Sequence, residues 1–260
     1  MSIEQAEVLA RLEALEQQVS PRVFAENRQP WFRQIYGDHP VLLSAPHACF
    51  HLRDGVEKMA EEYTAAIVCL VAQLTGCSAI FTTHKSSEDP NWQSDGEYKK
   101  AIRQTVDSRR IKFLIDVHGM TNRHHIGMAL GTINERACRS TDIIEPFVSE
   151  GFQITQAESL PPMLTSSKGM PVSSSAGAAE AQNWRRMVVD HPRFTGGVKS
   201  HTVTRFASEQ LGISSVQIEL ASVARIGYRA KTPDWPYEYY GNPKAITAAV
   251  NAIGGLVINS

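Results

Sequence analysis

The sequence predicts an α/β fold: a mostly parallel central sheet with helices on both faces. Two observations predict it. Short apolar runs alternate with amphipathic stretches along most of the 260 residues, the signature of successive β-α-β units. The candidate polar residues also fall at the ends of the apolar runs, where open α/β sheets gather their ligands.

The elements follow in order. From Ile3 to Val19, Val8, Leu12, Leu15 and Val19 recur at helical spacing among Glu and Gln, predicting an amphipathic helix over residues 1–20 that docks on the body or on a partner. After an aromatic stretch, Pro40 to Pro46 is an apolar run bounded by prolines, a buried strand with His47 just beyond it. Val56 to Leu74 carries Tyr63, Ile67, Leu70 and Leu74 on one stripe and stops at Gly76, predicting a long helix that leads into a strand from Ser78 to Thr83. A polar loop, a basic helix from Glu97 to Asp107 and a strand from Ile111 to Val117 repeat the pattern. His125–Leu130 then reads as a strand, Ile143–Glu150 as a helix and Phe152–Thr155 as an edge element. Residues 160–182 are rich in Ser, Pro, Gly and Ala, the composition of a mobile surface loop or lid. A helix from Thr202 to Leu211, a strand from Ile213 to Leu220 and a helix from Pro243 to Ile253 complete the chain. With no repeat and no linker, residues 1–260 read as a single domain.

Composition narrows the function. A net charge of −1, with Lys and Arg scattered, leaves no electrostatic footprint for nucleic acid or an anionic membrane. Met1 to Ser20 lacks the basic and apolar regions of a signal peptide, and no apolar run reaches the ~20 residues of a membrane span. Cys49, Cys69, Cys77 and Cys138 show no paired spacing and read as thiols in a reducing compartment. The expected location is the cytoplasm.

Four metal-competent or acid-base residues gather at the predicted strand ends. His47 follows the first strand, Asp116 and His118 close the third and share a face, and Glu219 lies near the end of a late strand. His47 alone reads more readily as a hydrogen-bonded structural histidine than as a ligand. Glu219 stands among Val216, Ile218 and Leu220, where a carboxylate is costly to bury unless paired, ligated or catalytic. Arg205 lies four residues after His201, so one helix would project both from the same face; Arg205 then serves as a carboxylate clamp or as half of a surface salt bridge. Lys85, Asp89 and Asn91 are candidates for shaping the pocket, Gly196-Gly197 for close backbone approach, and His124 and His125 for structural roles.

Together Ala45-Pro-His-Ala48, Lys58-x-Ala-Glu61-x-x-Thr64, Asp116-x-His-Gly119, Gly196-Gly197 with His201, and Gln217-Ile-Glu219 resemble the N-formylglutamate amidohydrolase family, which is similar to the zinc carboxypeptidases. The resemblance runs from about residue 40 to 225 and rests on the order of short motifs. It implies a three-layer α/β/α sandwich of the phosphorylase/hydrolase kind. It also implies one catalytic zinc held by His47, Glu61 on the following helix, and His118. Glu61 is preferred over Glu62 because its three-residue offset from Thr64 matches the family pattern.

Two imidazoles and one carboxylate leave a zinc position open for water, whose pKa the metal lowers to about 7. Glu219 then serves as general acid-base, with Asp116 orienting His118. The sequence departs from the deformylase pattern around Lys85 to Asn91 and in the Ser-rich loop, so the reaction class transfers better than the substrate. The reading is hydrolysis of a C–N bond in a small, carboxylate-bearing molecule, with the N-terminal helix offering a route to self-association. A metal-free nucleoside phosphorylase and a non-catalytic metal-binding module are the rivals. Gly196 to Ser200 lacks P-loop spacing, and no GxSxG elbow is present.

Overall fold

A computed structural model describes residues 4–26, 29–161, 183–197, 201–230 and 239–260. The Ser-rich stretch predicted as a lid lies outside the described residues from 162 onward.

The chain opens with α1 (Gln5–Glu16), β1 (Ser20–Phe24), β2 (Phe32–Ile35) and β3 (His39–Ala45). Next come β4 (His51–Arg53), β5 (Val56–Lys58), α2 (Thr64–Thr75), β6 (Cys77–Thr82) and β7 (His84–Lys85). The middle holds α3 (Glu97–Arg109), β8 (Phe113–Met120), β9 (Met128–Gly131), α4 (Glu145–Ser149) and β10 (Gln153–Ile154). The last described elements are β11 (Arg186–Val189), α5 (Val203–Gln210), β12 (Ser214–Ala221), β13 (Tyr228–Arg229), β14 (Tyr239–Tyr240) and α6 (Pro243–Ile258).

Eight strands form one mixed sheet in the order β10-β11-β9-β12-β8-β3-β6-β2. The central four, β12, β8, β3 and β6, are parallel, so their carboxyl ends share one edge. β2 closes one side antiparallel to β6, and β9 runs antiparallel to β12. Alternate residues of each strand enter different layers. Val41, Leu43, Ile115 and Ile218 pack with Val8 and Leu12 of α1, Ile67 and Leu70 of α2 and Ile253 of α6. Leu42, Ile80 and Leu114 pack with Ile102 of α3 and Phe206 of α5. Both faces are covered, which is why the central strands read as continuous apolar runs. The α/β sandwich is the one the alternation predicts. No helix among the described residues is long and apolar enough to cross a membrane.

Several elements differ from the sequence reading. The long helix from Val56 is instead a hairpin, β4 paired with β5, followed by an irregular turn, with the helix starting only at Thr64. Asp54 and Gly55 at its tip both have positive φ, 50° and 77°, the requirement of a tight primed turn that an Asp-Gly pair meets cheaply. Glu61 therefore sits before the helix and not on it. The strand expected from His125 begins at Met128, because His125 takes a left-handed conformation, φ 57°, after a short 3-10 turn. β11 lies in a stretch without evident period, and its place between β10 and β9 is set by pairing with distant strands.

The N-terminal helix buries Val8 and Leu12 in its own chain's core, against α2 and α6, so its apolar stripe is occupied without a partner. At its end, Glu16 Oε1 accepts from the Tyr63 backbone N–H at 2.9 Å, at the first turn of α2, while Oε2 is buried without a partner. Burial pushes the Glu16 carboxyl up to about 7, with Glu62 adding to the rise. Between pH 4.5 and 7 the unfolded chain releases this proton and the folded chain keeps it, so Glu16 lowers stability as pH rises through that window. Glu16→Gln keeps an acceptor for Tyr63 and cannot ionise. Its stability relative to wild type should improve by up to about 3 kcal/mol between pH 4.5 and 7.5, read from urea melts of the metal-free proteins. A constant difference across that range would contradict the burial of this carboxyl.

Candidate metal centre and active site

The site is assembled at the carboxyl edge of the central strands, on the α3/α5 side. In β8 and β12, Asp116 pairs in register with Gln217 and His118 with Glu219, so all four side chains leave the same face of adjacent strands. Leu114 precedes them on that face in the buried core, and two residues later the row turns polar at Asp116, still buried beneath Thr204 of α5. His47 follows β3, the neighbour of β8 on its other side.

Glu61 joins the two histidines. Its backbone N–H donates to the His47 carbonyl at 2.8 Å, and Thr64 Oγ1 donates to the Glu61 carbonyl at 2.7 Å, which pins the turn against the first residue of α2. Tyr63, between them, has φ 66°, a left-handed conformation that is strained for a residue with a side chain. This turn sends Glu61 and Glu62 to different places. Glu61 Oε1 lies 3.2 Å from His47 Nδ1, Oε2 lies 2.9 Å from His118 Nδ1, and Oε2 also accepts the Gly119 N–H at 2.9 Å. Glu62 pairs with Arg229 at 2.5 Å.

Each imidazole is held from behind by a second carboxylate. His47 Nε2 faces Asp89 Oδ1 at 2.9 Å, and His118 Nε2 faces Asp116 Oδ2 at 3.0 Å. Asp89 is itself fixed by Arg53 Nε at 2.6 Å and by the Asn91 N–H at 2.9 Å. Asn91 Nδ2 stands 3.1 Å from His118 Nε2, while its Oδ1 accepts from the Val203 N–H at 2.8 Å. Glu219 takes the Gln217 amide on Oε1 at 2.6 Å.

These contacts shift the charges in opposite directions. Burial alone would lower the His47 imidazole, but Glu61 and Asp89 outweigh it and raise its pKa to about 8. For His118 burial is likewise overcome, by Asp116 and Glu61, and the imidazole lies well above its ordinary value. Burial would raise Glu61, and the two imidazoles instead hold it well below the carboxylate range. Glu219 goes the other way: burial lifts it to about 7, Glu61 adds to the rise, and His118 opposes it.

The donor set fits a cation. A carboxylate faces both nitrogens of His47 and of His118, yet a neutral imidazole carries a single N–H and satisfies one such neighbour. With a metal ion at the Nδ1 side, each ring offers its lone pair there and keeps its Nε2–H for the aspartate, the arrangement by which outer carboxylates orient metal-ligating histidines. His47, Glu61 and His118 bring one ligand atom each to within 4.8 Å of one another. The group His47, His51 and Asp89 also meets that spacing, but the Arg53 guanidinium already supplies its positive charge.

A cavity of about 720 Å³ opens over these groups, lined by Glu61, His47, His118, Gln217 and Glu219 at the strand ends, by Arg53, Lys58, Asn91 and Trp92 on one side, and by His124, Arg193 and Gly196-Gly197 on another. Arg205 and His201 are not part of this wall. The helix starts at Val203 with Thr202 as its N-cap, so His201 lies outside it and the shared-face premise fails. Arg205 pairs with Glu209 one turn on, at 2.7 Å, and the His201 side chain is exposed. Lys85 pairs with Glu57. His124 does line the cavity, its imidazole pushed down to about 4 by burial and then by His191 and Arg193. The sequence carried no local signal for Asp89 as the partner of His47, since it sits in an aperiodic loop, or for Lys58 and Arg193 as wall residues.

No protein-family profile matches the chain, and no curated protein does. Among solved structures, N-formylglutamate amidohydrolase from Ralstonia eutropha JMP134 superposes over 88% of this chain and 96% of its own, with a TM-score of 0.53 and 11% sequence identity. The chain has the fold of that amidohydrolase. Looser likenesses are a succinylglutamate desuccinalase from Vibrio parahaemolyticus, with a TM-score of 0.43 over 90% of this chain and 69% of that one at 11% identity, and a putative carboxypeptidase A from Shewanella denitrificans OS-217, with 0.44 over 99% and 69% at 11% identity. The shared N-formylglutamate amidohydrolase fold accounts for the layered sheet, and the chemistry of this chain rests on its own residues.

Asp89→Asn tests the outer carboxylate. It keeps the shape and removes the charge behind His47, and it should weaken zinc binding by roughly 10- to 100-fold in a chelator competition. Affinity equal to wild type would show that Asp89 does not orient a ligand.

Proposed function

We propose that the protein is a zinc-dependent amidohydrolase that cleaves a C–N bond in a small, carboxylate-bearing acyl amide, in the manner of the N-formylglutamate amidohydrolases. The observation that carries this is the alternating set Asp89, His47, Glu61, His118 and Asp116, whose buried imidazoles and carboxylates are satisfied together when a cation stands between His47, Glu61 and His118. Zinc at that place supplies Lewis-acid polarisation of the scissile carbonyl and of the attacking water.

The remaining steps belong to the chain. Glu219 lines the same cavity and has one oxygen occupied by Gln217, leaving the other to take a proton from the attacking water and return it to the departing nitrogen. Its raised affinity for a proton suits a group that must both accept and give one near neutral pH. Asp116 and Asp89 keep the imidazoles turned toward the reaction centre. His124 also lines this cavity, its ring packed edge-on against Phe194. The retained acid-base carboxylate argues against a purely metal-binding module.

Charge on the walls supports the substrate class. Arg53 is committed to Asp89, whereas Lys58 and Arg193 line the cavity with no carboxylate partner among the described residues. A substrate carboxylate completes them, in the role the sequence assigned to Arg205.

Zinc analysis of the purified protein and a panel of N-acyl amino acids test the reading. His118→Ala should lose both metal and turnover, while Glu219→Gln should retain stoichiometric zinc and lose at least 100-fold in kcat. Full zinc occupancy in the His118 variant, or turnover persisting in Glu219→Gln, would remove those assignments. Lys58→Met and Arg193→Met should raise KM about 10-fold or more for carboxylate-bearing amides and leave KM for the matching decarboxylated amides unchanged. Equal effects on both substrate sets would mean that these cations do not read the carboxylate.

A further inference from the structure

Lys99, on the first turns of α3, is 2% exposed, a rare burial for a lysine and a costly one unless its ammonium is satisfied. No carboxylate pairs with it within ion-pair distance among the described residues. Its Nζ donates instead to two backbone carbonyls of separate segments, Gln93 O at 2.6 Å and His201 O at 2.8 Å, and it stands 5.6 Å from the Phe206 ring of α5. Gln93 lies in the loop that carries Asp89, the partner of His47, and Asn91, whose amide abuts His118. His201 precedes Thr202, the N-cap of α5, whose hydroxyl donates to the Gly196 carbonyl at 2.6 Å; Thr204 of the same helix reaches Asp116 Oδ2 at 3.4 Å.

We infer that Lys99 is a positioning residue, an internal ammonium that ties the Asp89–Asn91 loop to the entry of α5 and so fixes Asp89 behind His47 and, through Thr204, Asp116 behind His118. It does not line the cavity and touches neither metal nor substrate, so it acts through the groups it holds. Its charge also lies in the field of those carboxylates. Burial pushes the Lys99 pKa down to about 8, and Asp116 opposes this most, followed by Asp89. An apolar chain of similar length at this position would leave the Gln93 and His201 carbonyls without their donor, a local cost in stability. Where the ammonium sets the geometry of ligands, the same replacement leaves the fold and loosens the metal.

This inference rests on the zinc-site reading, and the test separates the two. Lys99→Met removes both donors, whereas Lys99→Gln keeps an NH₂ group able to reach a carbonyl. Zinc affinity by chelator competition should fall by roughly 10- to 100-fold in the Met variant and by less in the Gln variant, with the far-ultraviolet circular dichroism of the metal-free proteins unchanged. Affinities within about twofold of wild type in both variants overturn the role of Lys99. Should the Met variant fail to fold, the Gln variant decides by the same criterion. A wild-type protein that takes up no zinc overturns the proposed function itself, and the role of Lys99 falls with it.

Discussion

The structure turns on a single carboxylate placed between two imidazoles. Glu61 faces Nδ1 of His47 with one oxygen and Nδ1 of His118 with the other, while Asp89 and Asp116 stand behind the rings. Five ionisable groups in alternation, most of them buried, would be prohibitively costly if each were solvated only by protein. Their mutual attraction makes the arrangement tolerable, and a divalent cation makes it favourable, since metal binding exchanges the extra ring protons for a metal at the same place. The opposed shifts of the imidazoles and of Glu61 express this: the site is built to hold positive charge.

Much of the surrounding fold serves to keep that carboxylate where it is. The parallel strands β3, β8 and β12 end side by side, so His47, His118 and Glu219 arrive at one edge without further adjustment. Glu61 has no strand to place it. It depends on a turn braced from three directions: Thr64 bonds to its carbonyl, Glu16 of α1 takes the Tyr63 N–H, and Arg225 and Arg229 hold the carbonyl and carboxylate of Glu62. The left-handed Tyr63 is the local cost of directing adjacent glutamates to opposite sides. The N-terminal helix is thus coupled to the candidate site: Val8 and Leu12 anchor it in the core, and Glu16, its last residue, holds the turn.

The cavity is charged in layers. Its floor carries the carboxylates Glu61 and Glu219 around the place of the cation, and its walls carry Arg53, Lys58 and Arg193. Under the proposed function, a carboxylate-bearing acyl amide would match both. The fold shared with the N-formylglutamate amidohydrolase supplies the strand edge on which these groups are mounted.

The sequence by itself determined the alternation of elements and hence the layered sheet, because burial on two faces or one writes its period directly into the chain. It also determined Asp116-x-His118 and Glu219 as a facing set, since residues two apart on a strand share a side and a carboxylate among apolar neighbours needs a reason. Glu61 was reached by likeness to a family pattern, and the helix expected to carry it was not there: the Asp54-Gly55 turn folds the preceding residues into a hairpin. Only the tertiary structure set Asp89 and Asn91 against the histidines, tied Lys99 to the loop that carries them and left Arg205 outside the cavity wall. Those roles are single hydrogen bonds between segments separated by tens of residues, and such contacts leave no periodic trace in the chain. They come into being when the sheet brings its edges and loops together.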